Sequence, residues 1–336
     1  MNRSQVEVSV LIPVLNEAEM IEQTTETMRA QDFDGDVELI FMDGGSEDGT
    51  RPILEKLARR DDAVRVVDNP RRRVPHALNI GLKEARGEYV ARMDAHTFYP
   101  LDYLAAGVTR LERGGVEWVS GPQIAFGTDR WSKAVALALR TWLGVGGAKF
   151  RYPVDHEIEV DTGFTGIWRR SALEARGGWD EDWPVNQDAE LAARVRADGG
   201  RIVCVPGMAA RYAPRGSLAA LARQYWRYGQ YRAKTSGRHP ESMRRSHLIA
   251  PALVAIAAIA VGGPRRARRP ARAVVTVYAG CLIGEAARRA TSGHAEEAPL
   301  LPAVLATMHF SWGAGFWRGA AKFGPPIEAI RRVLRL

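Results

Sequence analysis

The first half of the chain alternates short apolar runs with amphipathic segments. Val6–Leu15 (VEVSVLIPVL) is almost continuously apolar, the pattern of a strand covered on both faces. Asn16 follows it and can cap a helix starting at Glu17. Next come a strand over Val37–Met42 that ends on Asp43, a helix over Thr50–Arg60 and a strand over Ala63–Val67. A helix around Pro75–Arg86 and a strand over Glu88–Met93, which delivers Asp94, complete the series. Such alternation predicts an α/β fold built on a mostly parallel sheet with right-handed crossovers. Ligands of these sheets bind beyond the carboxyl ends of the strands. Asn16, Asp43 and Asp94 all lie at such ends, so three loops are expected to converge on one crevice.

The middle of the chain is less regular. A strand is predicted over Trp118–Phe126 and a helix over Trp131–Leu143, ended by Gly144–Gly147. An acidic turn, Asp180–Asn186, leads through Asn186 into a helix over Gln187–Ala197. A strand over Arg201–Val205 and a helix over Ser217–Ala233 follow. Beyond residue 240 the character changes to three apolar, small-residue-rich segments: His247–Gly263, Ala273–Ala287 and Leu300–Gly319. The expected division is therefore an α/β domain over 1–240 and an apolar helical tail over 241–336.

Charge sharpens that division. The 336 residues carry a net charge of +8. Residues 241–336 hold 14 Arg and Lys against 5 Asp and Glu, so the excess lies in the tail and the rest is nearly balanced. A basic tail points to nucleic acid or an anionic membrane. Its arginines flank apolar runs instead of alternating with aromatic residues on an open face, which selects the membrane and argues against nucleic acid. Cys204 and Cys281 match no metal-ligand spacing, and Cys204 reads as a packed thiol of a reducing compartment. The N-terminal MNRSQVEVSV has no apolar stretch long enough for a secretion signal. The folded domain is therefore expected on the cytoplasmic side.

The chemistry-bearing residues are each ambiguous alone. DGGSEDGT (Asp43–Thr50) reads either as a polar turn with a helix cap or as a nucleotide loop in which Asp43 accepts hydrogen bonds from a base or ribose. MDAH (Met93–His96) reads as a solvated turn, or as a carboxylate and an imidazole that share Mn²⁺ or Mg²⁺ with a diphosphate. Asp188 opens a helix, so it is either a partner of the helix dipole or a general base. Arg71–Arg73 is a solvated loop or a diphosphate contact, and Gln224, Arg227, Tyr228 and Tyr231 share one side of a helix.

The order of these motifs is more specific than any one of them. VSVLIPVLNEA, DGGSEDGT, ALNIGLKEARGEYV, MDAH, TGFTGIWRRSALEARGGWDE and NQDAEL together resemble the family 2 inverting glycosyltransferases of GT-A fold, over roughly residues 6–235. MDAH, GVGGAKFR and QYWRYGQYR resemble the succinoglycan-type exopolysaccharide glucosyltransferases within that family. The resemblance implies that Pro13 and Glu17 line the nucleotide pocket, that Asp43 holds the base, and that Arg73 lies near the base and diphosphate. Asp94 and His96 replace the family's Asp-x-Asp as metal ligands, Asp188 is the catalytic base, and Thr165 and Gly166 stand beside the transferred sugar. Gln224 and Arg227 fall where processive synthases carry Gln-x-x-Arg-Trp, without the Trp. Gln187 replaces the Glu that usually precedes the base.

The activity implied is transfer of a sugar, with inversion, from a nucleotide-diphosphate donor with a preference for UDP. The acceptor implied is a hydroxyl of a polyprenyl-diphosphate-linked saccharide. The alternatives are a polyprenyl-phosphate glycosyltransferase and an inactive nucleotide-sugar-binding protein. In the tail, the first two apolar segments are shorter than the ~20 residues of a span. A crossing there would also place the five arginines of PRRARRPAR (Pro264–Arg272) on the wrong side. The expected arrangement is a re-entrant or interfacial pair with its arginines on anionic headgroups at the cytoplasmic face of the membrane, and only Leu300–Gly319 long enough to span.

Overall fold

The structure, a computed structural model, describes residues 6–335; residues 1–5 of the segment that argues against a secretion signal lie outside the described residues. In chain order the first elements are β1 (Val8–Val14), α1 (Ile21–Arg29), β2 (Val37–Asp43), α2 (Thr50–Ala58), β3 (Val64–Asp68), α3 (Val74–Glu84) and β4 (Tyr89–Arg92). There follow β5 (Thr97–Phe98), α4 (Tyr103–Glu112), β6 (Trp118–Ser120), β7 (Gln123–Ala125), α5 (Arg130–Ala138), α6 (Trp142–Val145), β8 (Ile158–Glu159), β9 (Gly166–Arg169) and α7 (Arg170–Ala175). The remainder is α8 (Gln187–Ala197), β10 (Ile202–Cys204), β11 (Ala210–Tyr212), α9 (Leu218–Arg238), α10 (Ile249–Gly262), α11 (Arg265–Thr291), α12 (Leu301–Phe323) and α13 (Ile327–Leu334).

Two compact units result. The first comprises residues 1–124 and 149–212, the second 125–148 and 213–336. The second unit takes in α9 together with the tail helices, and α9 packs with α12 inside it.

The first unit is built on an eight-stranded sheet of order β3-β2-β1-β4-β9-β6-β10-β8. β1, β2, β3 and β4 run parallel, whereas β9 is antiparallel to β4. The continuous apolar run of β1 is explained by two buried faces. Val8, Val10 and Ile12 join one core cluster with Met28, Phe41 and Leu104, while Leu11 joins another with Met42, Leu78 and Trp168. In register, Val14 faces Asp43 and Asp43 faces Asp68, so the strand ends that carry the loops lie side by side.

Three local expectations are corrected. Asn16 does not cap a helix: it adopts a left-handed φ of 56°, and α1 begins only at Ile21. The strand expected over Trp118–Phe126 is two, interrupted at Gly121–Pro122; Pro122 has no N–H for a ladder, and a Cβ at Gly121 would lie 1.7 Å from the Met208 carbonyl oxygen. The helix expected over Trp131–Leu143 ends at Ala138, and Thr141 restarts a short helix by accepting the Gly144 N–H at 2.9 Å.

In the second unit α12 crosses α9 at backbone contact. A Cβ added at Gly229 would lie 2.0 Å from the Trp312 carbonyl oxygen, at Gly315 2.1 Å from that of Trp226, and at Gly319 2.4 Å from that of Gln230. This is the small-xxx-small packing that lets helix backbones approach. Leu301, Val304, Leu305 and Met308 of α12 are buried. The segment expected to be the one long enough to span is therefore a packed helix. Among the described residues, the helical window long and apolar enough for a membrane, by length and composition, is Arg245–Gly262. Within PRRARRPAR, Pro264 is the N-cap residue and Arg265–Arg272 form the first turns of α11.

Candidate active site

Arg92, the last residue of β4, is the centre of the site. Its side chain is only 5% exposed. The guanidinium Nε donates to Asp94 Oδ1 at 2.9 Å and a terminal nitrogen to Asp94 Oδ2 at 3.3 Å, while the other donates to Asp188 Oδ1. One strand end thus binds the MDAH turn to the start of α8. Burial works against the charge on Arg92, but Asp188 and Asp94 outweigh it and raise its pKa. Burial pushes the Asp188 carboxyl up to about 7, with Arg92 pulling the other way and Asp94 adding to the rise. Asp188 therefore changes protonation near neutrality, as a general base requires.

A chain of aromatic hydroxyls supports this centre. The Asp94 N–H donates to Tyr99 Oη at 2.7 Å, Tyr99 packs edge-on to Tyr103 at 4.8 Å, and Tyr103 Oη lies 2.9 Å from Thr165 Oγ1. Thr165 is thus tied to Tyr103 by its side chain and to Trp118 Nε1 by its carbonyl, at 3.2 Å. Gly166 pairs with Arg92 across β9 and β4, and a Cβ there would lie 2.2 Å from Trp118 Nε1. Glycine at 166 is what lets β9 pass so close to Trp118. Arg92, Tyr99 and Tyr103 were not singled out from the sequence. The available signal for Arg92 was an arginine inside a strand that is otherwise apolar, directly before MDAH.

The ends of β1 and β2 form the adjoining part. Asp43 is buried, and its Oδ1 accepts from Ser46 Oγ at 2.6 Å and from the Ser46 N–H at 3.2 Å, with Arg51 3.6 Å from the other oxygen. The Asn16 N–H donates to Ser46 Oγ and Asn16 Oδ1 accepts the Glu47 N–H, both at 2.9 Å, so the two loops are stitched together. The Glu17 N–H donates to Thr50 Oγ1 at 2.8 Å, and Glu17 Oε1 lies 3.2 Å from His96 Nδ1. The loops after β1, β2 and β4 therefore meet, as the strand-end argument requires. Pro13 is half-buried on β1 opposite Met42. Arg73 is exposed at the start of α3, where its carbonyl accepts from Asn69. Gln224 and Arg227 stand on α9 in the second unit; Gln224 Nε2 donates to Tyr228 Oη at 3.0 Å and Arg227 is exposed. Glu190 is paired with Arg194 at 2.8 Å, which removes it as a second acid beside Asp188.

No group of three or more His, Cys, Asp or Glu that could hold a metal alone occurs among the described residues. Asp94 and His96 share one turn, closed by the Thr97 N–H on the Asp94 carbonyl at 3.1 Å. Once Asp188 has lost its proton, Arg92 balances only one of the two carboxylates it touches, which leaves local negative charge. One carboxylate, one imidazole and that charge fit a hard or borderline divalent cation that completes its shell with diphosphate oxygens and water.

A parallel sheet with acids at the ends of β1 and β2 and an Asp-x-His turn after β4 defines the GT-A fold of nucleotide-sugar transferases. Residues 9–177 match glycosyl transferase family 2, and the chain belongs to that family. It is 35% identical over 319 residues to the succinoglycan biosynthesis protein ExoA of Rhizobium meliloti, covering 94% of this chain and 95% of that protein. It is 24% identical over 229 residues to the dolichyl N-acetyl-α-D-glucosaminyl phosphate 3-β-D-2,3-diacetamido-2,3-dideoxy-β-D-glucuronosyltransferase of Methanococcus voltae, covering 66% of this chain and 71% of that protein. Among solved structures, the mannosyltransferase PcManGT of Pyrobaculum calidifontis, in complex with GDP-Man and Mn²⁺, superposes with a TM-score of 0.59 at 25% identity, over 95% of this chain and 88% of that one.

Proposed function

We propose that this glycosyltransferase moves a hexosyl group, with inversion, from a nucleotide-diphosphate sugar to a hydroxyl of a polyprenyl-diphosphate-linked saccharide, during assembly of a cell-surface polysaccharide. The observation that carries the proposal is Arg92, which joins Asp94 of the metal-type turn and Asp188 of α8 in one buried ion cluster. The likeness to ExoA supports the polysaccharide setting, and the two nucleotide-side loops support the donor. UDP is the nucleotide tested first, with GDP-sugars beside it because PcManGT holds GDP-Man.

Asp188 takes the proton of the acceptor hydroxyl. The hydroxyl oxygen bonds to the anomeric carbon on the face opposite the diphosphate, and the bond from that carbon to the diphosphate oxygen breaks. Arg92 holds the Asp188 carboxylate in place. Asp94 and His96 would hold Mn²⁺ or Mg²⁺, which supplies charge neutralisation to the diphosphate when bound. Asp43, Pro13, Glu17 and Arg73 bind the nucleotide; Thr165 and Gly166 lie on the sugar side; Gln224 and Arg227 serve the acceptor. The tail docks the chain on the cytoplasmic face of the membrane. It does so through the exposed apolar residues Val261, Val274, Val277 and Ile283 and the arginines at the start of α11.

The test is nucleotide release from a panel of UDP- and GDP-sugars in Mn²⁺, with membrane lipid extract as acceptor. One donor is expected to give lipid-extract-dependent release and a labelled, acid-labile glycolipid. Absence of release from every donor would refute the transferase reading.

A further inference from the structure

Two aromatic rings near the MDAH turn are not used by the proposed chemistry. β11 pairs antiparallel with β5, and the register sets Tyr212 opposite Thr97, the residue after His96. The ring centroids of Tyr212 and His96 are 5.9 Å apart. Tyr212 also meets Phe164 edge-on, again at 5.9 Å. Three rings in succession thus link the turn to the segment that enters β9.

In that segment the neighbours of Phe164 are fixed. Gly163 and Thr165 are buried, a Cβ at Gly163 would lie 2.6 Å from Ser120 Oγ, and the Thr165 hydroxyl is turned to Tyr103. The Phe164 side chain between them is only half-buried. Among the described residues it lies outside both core clusters of the first unit. Its ring is therefore held in place by Tyr212, which is buried, and stays partly in water.

The chemistry of such a ring selects what covers it. A pyranose carries hydroxyls around its rim and C–H bonds on its faces, so an aromatic ring can take a C–H face out of water. The same ring offers nothing to a diphosphate, which suits the carboxylate, imidazole and cation of the turn instead. Ligand sites combine apolar and aromatic walls with a few polar groups in this way. In a nucleotide-sugar donor the sugar is bonded to the diphosphate, so it lies beside the turn, on the side from which Tyr212 leads to Phe164.

We infer that Phe164, backed by Tyr212, packs against the transferred sugar ring and helps determine which nucleotide sugar is used. The inference rests on the donor reading above and names the side chain that contacts the sugar.

The test separates the sugar from the nucleotide. The full chain in detergent with Mn²⁺ is titrated with UDP-glucose and UDP, and with GDP-mannose and GDP. In the pair that the wild type binds, Phe164→Ala should weaken the nucleotide sugar ~10-fold, as expected for loss of an aromatic contact face, and leave the nucleoside diphosphate unchanged. Phe164→Tyr should retain the nucleotide sugar. Phe164→Leu, which keeps apolar bulk without a ring, should lose part of that affinity and none of the nucleoside diphosphate's. Equal weakening of both ligands would make Phe164 a structural residue and overturn the inference, as would an unchanged affinity for the nucleotide sugar. Either result leaves the transferase proposal standing, because the nucleotide is still bound. A wild-type chain that binds no member of either pair in Mn²⁺ sinks both.

Discussion

Replacing Arg92 with Met removes the one cation between two carboxylates while keeping an unbranched side chain of similar length. The Arg92 side chain is 5% exposed, that of Asp94 11% and that of Asp188 19%. Breaking a buried pair costs ~3–5 kcal/mol where the remaining charge cannot escape. Here it can escape by protonation, which sets the pH dependence. In the wild type the Asp188 pKa rises from 3.8 to about 7, so the folded state binds more protons than the unfolded state between about pH 4 and 7. Stability therefore falls as pH rises through that window, by roughly 4 kcal/mol as an upper value at ~1.36 kcal/mol per pH unit. Without Arg92 the folded pKa moves higher still and the window extends above 7. The loss caused by Arg92→Met should thus be small at pH 5.5 and reach ~3–5 kcal/mol at pH 8.5. Urea titration followed by tryptophan fluorescence measures it, because Trp118, Trp168 and Trp179 form a buried cluster in the first unit. A loss of the same size at both pH values would show that packing, not the ion cluster, accounts for Arg92.

Other consequences are directly measurable. Activity should vanish in EDTA and return with Mn²⁺ or Mg²⁺, and His96→Ala should weaken UDP binding in Mn²⁺ but hardly without it; equal affinities in Mn²⁺ would remove His96 as a ligand. Gly315→Ala should lower Tm, by ~1–3 kcal/mol of stability, because its Cβ meets a backbone oxygen. Gly280→Ala on α11 should not lower Tm, since nothing lies within 4 Å; equal effects would contradict the α9–α12 crossing. The full chain should pellet with membranes and need detergent. Val277→Asp with Ile283→Asp, at positions 66% and 63% exposed, should shift it toward the soluble fraction; an unchanged distribution would place the membrane contact elsewhere.

The parallel half of the sheet was legible because β1, β2 and β4 are buried on both faces and their apolar runs carry no competing signal. Asp43, Asp94 and Asp188 were legible as acids at element ends, where few residue types serve. Local capping rules failed at Asn16 because its side chain is used across 31 residues, on Glu47, and not by the next helix. Arg92 was hidden because its partners lie two and 96 residues away, and only the folded β4–α8 arrangement brings them together. The tail misled for a related reason. The glycines of α12 read as features of an apolar segment, whereas each of Gly315 and Gly319 meets a carbonyl of α9. Composition shows that a helix is apolar but not which neighbour covers it.

The central claim is that Asp188 is the base of a sugar transfer. Turnover and donor binding of Asp188→Asn, measured with the active nucleotide sugar in Mn²⁺, test it most directly. The account predicts that UDP affinity is retained and that kcat falls by ~10²–10⁴. Wild-type kcat/KM should rise with pH through about 7 as Asp188 loses its proton, a limb absent from the variant. Near-normal turnover in Asp188→Asn, with the same pH limb, would contradict the claim and favour an acceptor that is already ionised, such as a polyprenyl phosphate.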